Sequence, residues 1–318
     1  MRRTQRQKQK TKKTQIKTKN VKEKNTDRIS FYDKNYKQLI IIPMLLLLVA
    51  IILITVKVVN EGEFLNKGIT LSGGVAVTVI HEDIDKNLLR DQLELEFPSH
   101  QINVRSLEDA GRRIGVLVET NMPPENTEEV SRFDSIIRTQ TNAESADVST
   151  ETIGSSLGQA FFRQTILAVL IAFIFMGIVI FAYFKSLVPS SLTILSAFSD
   201  IIITLAIVNV LGINIGTAGI AAFLMLIGYS VDANIVLNMR TLKGTNGTIP
   251  ERIRSAMGTG LTMSITTLVA ITVAFIIAES AVLKEIMLIM MIGLIIDVLN
   301  TWIQNAGLLR WYLERKKN

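Results

Sequence analysis

Blocks of about twenty apolar residues recur along the chain and alternate with polar segments. Each block is long enough to cross a hydrocarbon core as an α-helix, because about 20 residues at about 1.5 Å per residue span about 30 Å. The pattern therefore predicts six membrane-spanning helices, which are Leu39–Val59, Thr165–Phe184, Leu187–Leu211, Ile213–Leu237, Leu261–Ala281 and Ile286–Leu309. One long polar segment, residues 60–163, separates the first span from the second.

This polar segment carries the alternation of a small α+β domain. Strands are predicted at Val75–Ile80 directly after Gly73 and Gly74, at Ile102–Leu107, at Ile114–Val118 and at Asp147–Ile153. The second and third strands are joined by a turn with residues 108–111, which indicates a hairpin. Helices are predicted at Ile84–Phe97, with Asp83 as N-cap and Leu88 on the apolar side, and after Pro123 and Pro124. The order β-α-β-β-α-β is that of the ferredoxin-like split motif.

The predicted fold class is a membrane all-α bundle of six transmembrane helices with one α+β ferredoxin-like extracytoplasmic domain between the first and second helices. The predicted organisation is a basic disordered tail at 1–38, the first helix at 39–59, the extracytoplasmic domain at 60–163, a five-helix bundle at 164–309 and a basic tail at 310–318. The first tail is low-complexity Lys, Gln, Thr and Arg, which cannot bury a core.

The distribution of charge predicts the orientation in the membrane. Residues 1–38 hold fourteen Lys and Arg against three acids, whereas residues 60–163 hold nine against eighteen. Lys and Arg accumulate on the cytoplasmic side, so both termini are expected in the cytoplasm of a plasma-membrane protein. The basic tails are expected to attract anionic lipid. Without interleaved aromatic residues they do not predict specific binding to nucleic acid.

Composition excludes several kinds of chemistry. The chain has no cysteine, which removes disulfides, thiolate catalysis and Cys-ligated metal. Its two histidines, His81 and His100, lie outside the predicted spans without a carboxylate cluster at metal-ligand spacing. We therefore predict no metal, no cofactor and no enzymatic activity.

Three carboxylates lie inside predicted spans, where an ionisable residue is costly and indicates function. By helix rise, Asp200 and Asp297 each lie about 16 Å from the outer end of their span, so they can meet at mid-depth. Asp232 lies near the cytoplasmic end of the fourth span. Asp297 also begins a polar stripe at i, i+3, i+4 and i+7, made with Asn300, Thr301 and Gln304, which must face the bundle. Such polar groups also form hydrogen bonds between helices, which is a purely structural role. For Asp232 the neighbouring residues in the sequence favour a functional role.

Those surroundings carry a family resemblance. The stretch Gly228, Tyr229, Ser230, Val231, Asp232, Ala233 and Asn234, followed by Arg240, resembles the fourth-span signature of the SecF family, especially its archaeal branch. Gly68–Gly74, which ends in Gly73 and Gly74, is similar to the glycine motif after the first span. Phe184–Ser190, with Pro189, resembles the tight turn between spans two and three. Thr259–Leu268 resembles the archaeal fifth span, although the arginine of bacterial members is replaced by Thr259. The resemblance covers residues 39–309.

The resemblance implies function as well as fold. SecF and SecD are paired accessory subunits of the Sec export channel and belong to the RND superfamily. It implies a SecD-type partner in a heterodimer, contact with the Sec protein-conducting channel and with translocating unfolded polypeptide, and use of the proton gradient. The candidate proton-relay residues are Asp232, Asp200 and Asp297. Two alternatives are half of an RND-type transporter for lipids or small molecules, and an intramembrane aspartyl protease using Asp232 and Asp297.

Overall fold

The computed structural model describes residues 32–81, 84–109, 112–141, 147–244, 247–278 and 280–317. Most of the predicted tail 1–38 therefore lies outside the described residues. The elements follow in this order: α1 (residues 32–39), α2 (Ile41–Glu61), α3 (Ile69–Ser72), β1 (Gly74–Val79), α4 (Lys86–Glu96), β2 (Ile102–Asp109), β3 (Arg112–Thr120), α5 (Thr127–Thr141), β4 (Val148–Ile153), α6 (Ser155–Phe184), α7 (Leu187–Val210), α8 (Thr217–Lys243), α9 (Ile249–Ile277), α10 (Ala281–Leu299), a π-helix (Asn300–Asn305) and α11 (Ala306–Lys317).

Within the described residues, five helices are long and apolar enough to cross a membrane. They are the continuous helix Tyr32–Glu61, which joins α1 to α2, and the helices α6, α7, α8 and α9. The sixth predicted span, Ile286–Leu309, coincides with α10, the π-helix and the start of α11. It is not among the five because α10 is short and its 19 residues contain three charged side chains, Lys284, Glu285 and Asp297, and because the α-helix gives way to a π-helix at Asn300.

Several helices extend beyond the predicted apolar blocks. Helix α6 begins at Ser155, well before Thr165, and α9 begins at Ile249, well before Leu261. The start of α9 is determined by polar residues: Thr248 and Glu251 form a capping box, and a proline occupies the first turn. The hydropathy pattern detects only the apolar part of a helix, so it did not predict the polar first turns of α6 and α9.

The domain between α2 and α6 is a four-stranded antiparallel sheet of order β2-β3-β1-β4, with α4 and α5 on one face. The predicted β2–β3 hairpin is present, and its turn, residues 110–111, lies outside the described residues. Helix α4 is capped by Asp85, whose side chain accepts hydrogen bonds from the amides of Asn87 and Leu88. The predicted cap, Asp83, lies outside the described residues. Leu88, predicted on the apolar side, is 57% exposed because the buried side of α4 runs through Leu89 and Leu93.

Glycines allow close backbone contacts within this domain and between it and α6. Gly73 has φ 78°, and a Cβ on it would lie 2.5 Å from Cα of Ser155 at the start of α6. Gly74 has φ 137°, and its Cβ would lie 2.1 Å from the carbonyl oxygen of Thr120. On the other side of the contact, a Cβ on Gly158 would lie 2.3 Å from the amide nitrogen of Gly73. The glycine motif therefore serves close packing of backbone on backbone.

Backbone and side-chain hydrogen bonds also connect the segment after α2 to the C-terminal end of α7 and to the residues just before α8. Ile215 donates its amide to the carbonyl oxygen of Asn66 at 2.7 Å. The amide of Asn66 donates to Oδ1 of Asn209 at 3.1 Å. At the start of α8, the amide of Gly216 donates to Oε1 of Glu285 from α10 at 2.8 Å. The helix ends near the small domain are thereby held together.

Candidate functional site

The interior of the bundle contains a pair of carboxyl groups. Asp200 on α7 is fully buried and Asp297 on α10 is 1% exposed. The two side chains contact each other directly and share Ser230 of α8 as a hydrogen-bonding neighbour. Three helices that are distant in the sequence thus bring two acids together at the depth where the helix rise places both.

Neutral polar side chains surround the pair. Ser230 donates its hydroxyl to Oδ2 of Asp200 at 2.6 Å, and the amide nitrogen of Asn300 donates to Oδ1 of Asp200 at 2.7 Å. Thr301 donates its hydroxyl to Oδ1 of Asp297 at 3.0 Å. We call these five residues, Asp200, Ser230, Asp297, Asn300 and Thr301, the aspartate centre. All five are buried.

A series of amides extends from the aspartate centre along α8 toward its basic end. Asn234 donates its side-chain amide to the carbonyl oxygen of Ser230 at 2.8 Å, and Asn305 donates to Oδ1 of Asn234. One turn further, Asn238 donates to Oγ1 of Thr193 at 2.7 Å. These buried groups provide hydrogen-bonding partners from mid-bundle toward the end of α8 that carries Arg240 and Lys243.

The π-helix accounts for the density of polar groups on this side of the bundle. It comprises Asn300–Asn305, and its residues Asn300, Thr301, Trp302, Gln304 and Asn305 are all buried. An α-helix would carry some of these residues away from the centre, whereas the wider π turn keeps more consecutive side chains inside. Such turns are rare and often occur at functional sites. The predicted polar stripe of Asp297, Asn300, Thr301 and Gln304 does face the interior.

In the part of the chain that the structure describes, no basic side chain pairs with these acids. Among the described residues, the ion pairs involve neither Asp200 nor Asp297. Two unpaired carboxylates in contact inside a bundle repel each other and lose their hydration. The pair therefore requires positive charge from bound protons or from a small cation.

The signature stretch on α8 is divided between two sides of the helix. Ser230 and Asn234 are buried in the interior, whereas Gly228, Tyr229 and Asp232 are exposed on the opposite side. A Cβ added to Gly228 would meet nothing within 4 Å. The structure thus places Asp232 apart from Asp200 and Asp297, on a surface of the bundle. Val231 lies between the two sides and is half-buried.

The other predicted signature residues are structural. Gly73 packs against the start of α6 and Gly74 packs against Thr120 of β3. Pro189 is buried in the first turn of α7, where its carbonyl accepts the hydroxyl of Thr193 at 3.1 Å. Sequence reasoning missed Asn234, Asn238 and Asn305 as parts of the polar interior. A signal was available, because Ser230, Asn234 and Asn238 recur at i+4 spacing on an apolar helix.

The described part of the small domain contains no comparable site. His100 pairs with Glu129, with His100 Nε2 3.4 Å from a carboxylate oxygen. Across the described part of the chain there is no group of three His, Cys, Asp or Glu side chains that could hold a metal ion. The aspartate centre, with two carboxyls and neutral ligands, remains the best candidate for ion chemistry.

Comparison with known proteins gives consistent matches. The family described as "Protein export membrane protein SecD/SecF, C-terminal" matches residues 134–315. The chain is 38% identical over 312 residues to the protein-export membrane protein SecF of Thermococcus gammatolerans, covering 96% of this chain and 94% of the relative. It is 36% identical over 290 residues to SecF of Methanocaldococcus jannaschii, covering 88% and 96% of the two chains.

Solved structures show the same fold. The crystal structure of SecDF, a translocon-associated membrane protein from Thermus thermophilus, superimposes with a TM-score of 0.66 at 21% identity, over 88% of this chain. SecDF in its super-membrane-facing form superimposes with a TM-score of 0.54 over 87% of the chain. The chain spans 38% of the length of each of these proteins.

Proposed function

Because the chain belongs to the SecD/SecF family of protein-export membrane proteins, as a SecF, we propose that it is an accessory subunit of the Sec translocase. It acts with a SecD-type partner at the Sec protein-conducting channel and promotes the passage of unfolded polypeptide across the plasma membrane. The observation that carries the proposal of a partner is the exposure of Asp232 on α8.

The exposed side of α8 has the character of an incomplete interface. Met225 is 42% exposed, Tyr229 41% and Met239 37%, and Asp232 lies between them. By helix rise, Asp232 lies about 22 Å from the start of α8 and about 12 Å before Arg240, the first basic residue at its end, so it lies in the apolar part of the helix near that end. A charged side chain at that depth is costly against lipid, so a protein surface or water must cover it. A second bundle of SecD type meets this need, and Gly228 permits its close approach.

The proposed arrangement in the membrane is the one that the sequence predicts. Six spans, with α10, the π-helix and the start of α11 forming the sixth, bring both termini to the cytoplasm and the small domain outside. The order β-α-β-β-α-β and the sheet order β2-β3-β1-β4 support a ferredoxin-like extracytoplasmic domain. The cytoplasmic ends carry the basic residues, which bind anionic lipid.

The energy source in this proposal is the proton gradient. Asp200 and Asp297 need compensating charge, and the buried amides along α8 lead from them toward the cytoplasmic end. Asp232 provides a second titratable group on the partner side. The bacterial arginine is absent at Thr259, so an Asp–Arg pair within this chain cannot hold the proton. A change in proton occupancy moves the bundle only if two conformations bind the proton with different affinity.

The alternatives receive less support. An aspartyl protease needs its two catalytic carboxyls together in a cleft that a peptide can enter. Here Asp297 contacts Asp200 instead of Asp232, and that pair is buried. A half of an RND-type transporter shares the requirement for a second bundle, but the relatives that match nearly the whole chain bear export names.

Co-purification from native membranes tests the proposed partnership. We expect tagged chain in mild detergent to bring down a second six-span protein of SecD type. Gly228→Leu should abolish this capture without unfolding the chain, because the added side chain enters open space in the subunit and blocks only the partner. Ala168→Leu, on the exposed side of α6, is the matched control. Equal capture by both variants would show that the α8 surface is not the interface.

A further inference from the structure

The π-helix redirects one backbone amide. In an α-helix the amide of Ala306 would bond to the carbonyl oxygen of Trp302, four residues earlier. Here it bonds instead to the carbonyl oxygens of Thr301 and Ile303. The hydroxyl of Tyr32 in α1 donates to the bypassed carbonyl of Trp302 at 2.9 Å. A residue 270 positions earlier in the chain thus supplies the hydrogen bond that the wider turn takes from this carbonyl.

Packing fixes the helix on both sides of the π turn. Before it, Ile289 and Leu294 of α10 are buried in the core of the bundle, and after it Ala306 and Leu309 of α11 are buried in a second cluster. Because its hydrogen bonds span five residues instead of four, a π turn holds one residue more than an α-helix of similar length. Without that extra residue, α11 would be rotated by about 100° relative to α10.

The start of the chain's first long helix excludes the rotated arrangement by steric contact. With α10 in place, relaxation of the turn to a continuous α-helix would move each residue of α11 into the place of the next one. We call the two arrangements the π register and the α register. In the α register Ala306 would occupy the place of Gly307, where a Cβ lies 2.6 Å from Cγ1 of Ile40. The methyl group of Ala306 would therefore clash with Ile40.

The ion pair of Asp33 favours the same register. Arg310 Nη1 donates to Oδ1 of Asp33 at 2.6 Å, and the Arg310 side chain is 10% exposed. In the α register Leu309 would take the place of Arg310 and leave an apolar side chain beside this carboxylate. The contacts of Asp33 and Ile40 thus oppose the α register, and Tyr32 satisfies the carbonyl that the π register releases.

The register also determines which amide reaches α8. Asn305 donates its side-chain amide to Oδ1 of Asn234, and Gln304 donates to the hydroxyl of Ser199 at 3.2 Å. A shift of one residue would bring Gln304 to the place of Asn305 and break both hydrogen bonds. The series of interior amides is therefore complete only in the π register.

We propose that α1 selects the π register of the last membrane-spanning helix, with Tyr32 as the positioning residue for the contact between Asn305 and Asn234. The inference rests on the proposed function in one respect, that a complete amide series is needed for export. The competing explanation is that α10 and α11 form the π-helix unaided and α1 only packs against it. In that case, removal of one hydroxyl leaves the register unchanged.

Cross-linking of introduced cysteines reports the register directly, because the chain has no cysteine. Ile40→Cys, which also makes room, is combined either with Gly307→Cys for the π register or with Ala306→Cys for the α register. In the full-length chain in native membranes we expect oxidation to favour the pair at 40 and 307, because a disulfide requires Cβ atoms about 3.5–4.5 Å apart. Adding Tyr32→Phe should shift the ratio of the two yields several-fold toward the pair at 40 and 306.

A matched control removes the same group elsewhere at this end of the bundle. Tyr312→Phe, at a half-buried tyrosine of α11, should leave the ratio of the two yields as it is in the parent chain. The same ratio in the Tyr32→Phe and Tyr312→Phe backgrounds would overturn the inference.

Export and capture of the partner separate this inference from the proposed function. We expect Tyr32→Phe to reduce export of a secreted reporter several-fold at matched expression. Tagged Tyr32→Phe chain should still capture the SecD-type partner, because the lost hydroxyl contacts the π-helix and not the exposed side of α8. A shifted cross-linking ratio with wild-type export would overturn the positioning role. Failure of the wild-type chain to capture a partner would count against the proposed function alone.

Discussion

Arg310 in α11 donates a hydrogen bond of 2.6 Å from Nη1 to Oδ1 of Asp33 in α1, so the last described helix is tied to the first. The same guanidinium donates from Nε to Oε1 of Glu314 at 2.8 Å, and the hydroxyl of Tyr36 donates to Oε2 of Glu314 at 2.5 Å. The Arg310 guanidinium also lies 4.3 Å from the ring centroid of Tyr36. This network closes the bundle on the side that we assign to the cytoplasm.

The network predicts a pH dependence. Burial alone would raise the pKa of Glu314, but the hydrogen bonds from Arg310 and Tyr36 outweigh it and lower the pKa below its ordinary value of 4.5. A carboxylate whose pKa is lower in the folded state adds stability above its unfolded pKa, and this is lost as the pH falls through the folded value. We therefore expect Glu314→Gln to reduce the stability at pH 7 and to make it less sensitive to acid below about pH 4.5.

The effect should be small. The Glu314 side chain is 40% exposed, so its ion pair is screened by solvent and should contribute less than about 1 kcal/mol. Thermal unfolding of the detergent-solubilised protein between pH 3.5 and pH 7 measures it. Glu128→Gln, an exposed substitution in α5, is the control. Parallel pH profiles for Glu314→Gln and the wild type would contradict the prediction.

The glycine contact between the small domain and α6 predicts a large loss of stability. Gly73→Ala must strain a residue at φ 78° and place Cβ 2.5 Å from Cα of Ser155, so the backbones must separate. We expect a loss of about 2 kcal/mol or more in the free energy of unfolding, measured by chemical or thermal denaturation. Gly62→Ala is a matched control, because Gly62 has φ 75° but open space around its Cβ. Equal losses in the two variants would assign the effect to backbone strain alone.

The charge of Asp232 predicts an effect on export in a stable subunit. Asp232→Asn keeps the size of the side chain and removes its titration, and the residue is exposed in the isolated chain, so the unfolding midpoint should be unchanged. Export of a secreted reporter should fall by roughly tenfold, within the range of 1–3 kcal/mol typical of coupling between sites. If the Asp232→Asn variant exports the reporter as well as the wild type at matched expression, the charge of Asp232 is not needed for export and the residue is only a polar contact.

The buried acids predict a different combination. Asp200 accepts hydrogen bonds from Ser230 and Asn300, so Asp200→Asn turns at least one accepting atom into a donor that faces another donor. We expect a loss of about 1–3 kcal/mol in stability together with loss of export. Asp297→Asn should impair export with a smaller structural cost, because one oxygen of Asp297 has no donor. Measuring midpoint and export on the same preparations separates the two kinds of defect.

The orientation predicts the labelling of introduced cysteines. The chain has no cysteine, so single substitutions report without background. Glu128→Cys in α5 should react with an impermeant thiol reagent applied to intact cells, whereas Lys243→Cys at the end of α8 should react only after the membrane is opened. The reverse pattern would invert the proposed topology and place the aspartate centre's amide series toward the outside.

Local pattern was sufficient for much of the architecture. The apolar blocks located the five helices that are long and apolar enough to cross a membrane, and β-branched runs with turn residues located the four strands of the small domain. Hydropathy and periodicity suffice for this because they depend on neighbours within one element. The stripe from Asp297 to Gln304 was also recognisable as an interior side, since four polar groups at helical spacing cannot all face lipid.

Packing between elements determined the rest. Asp200 and Asp232 both lie on strongly apolar helices, where a single polar residue does not reveal which side of the helix will be buried. The neighbouring helices bury Asp200 against Asp297 and leave Asp232 exposed. The contact of Gly73 with Ser155, across 82 positions of the chain, likewise has no local signature. The sequence identifies these residues, but the side of the helix that becomes buried and the partners of each side chain depend on how the helices pack in three dimensions.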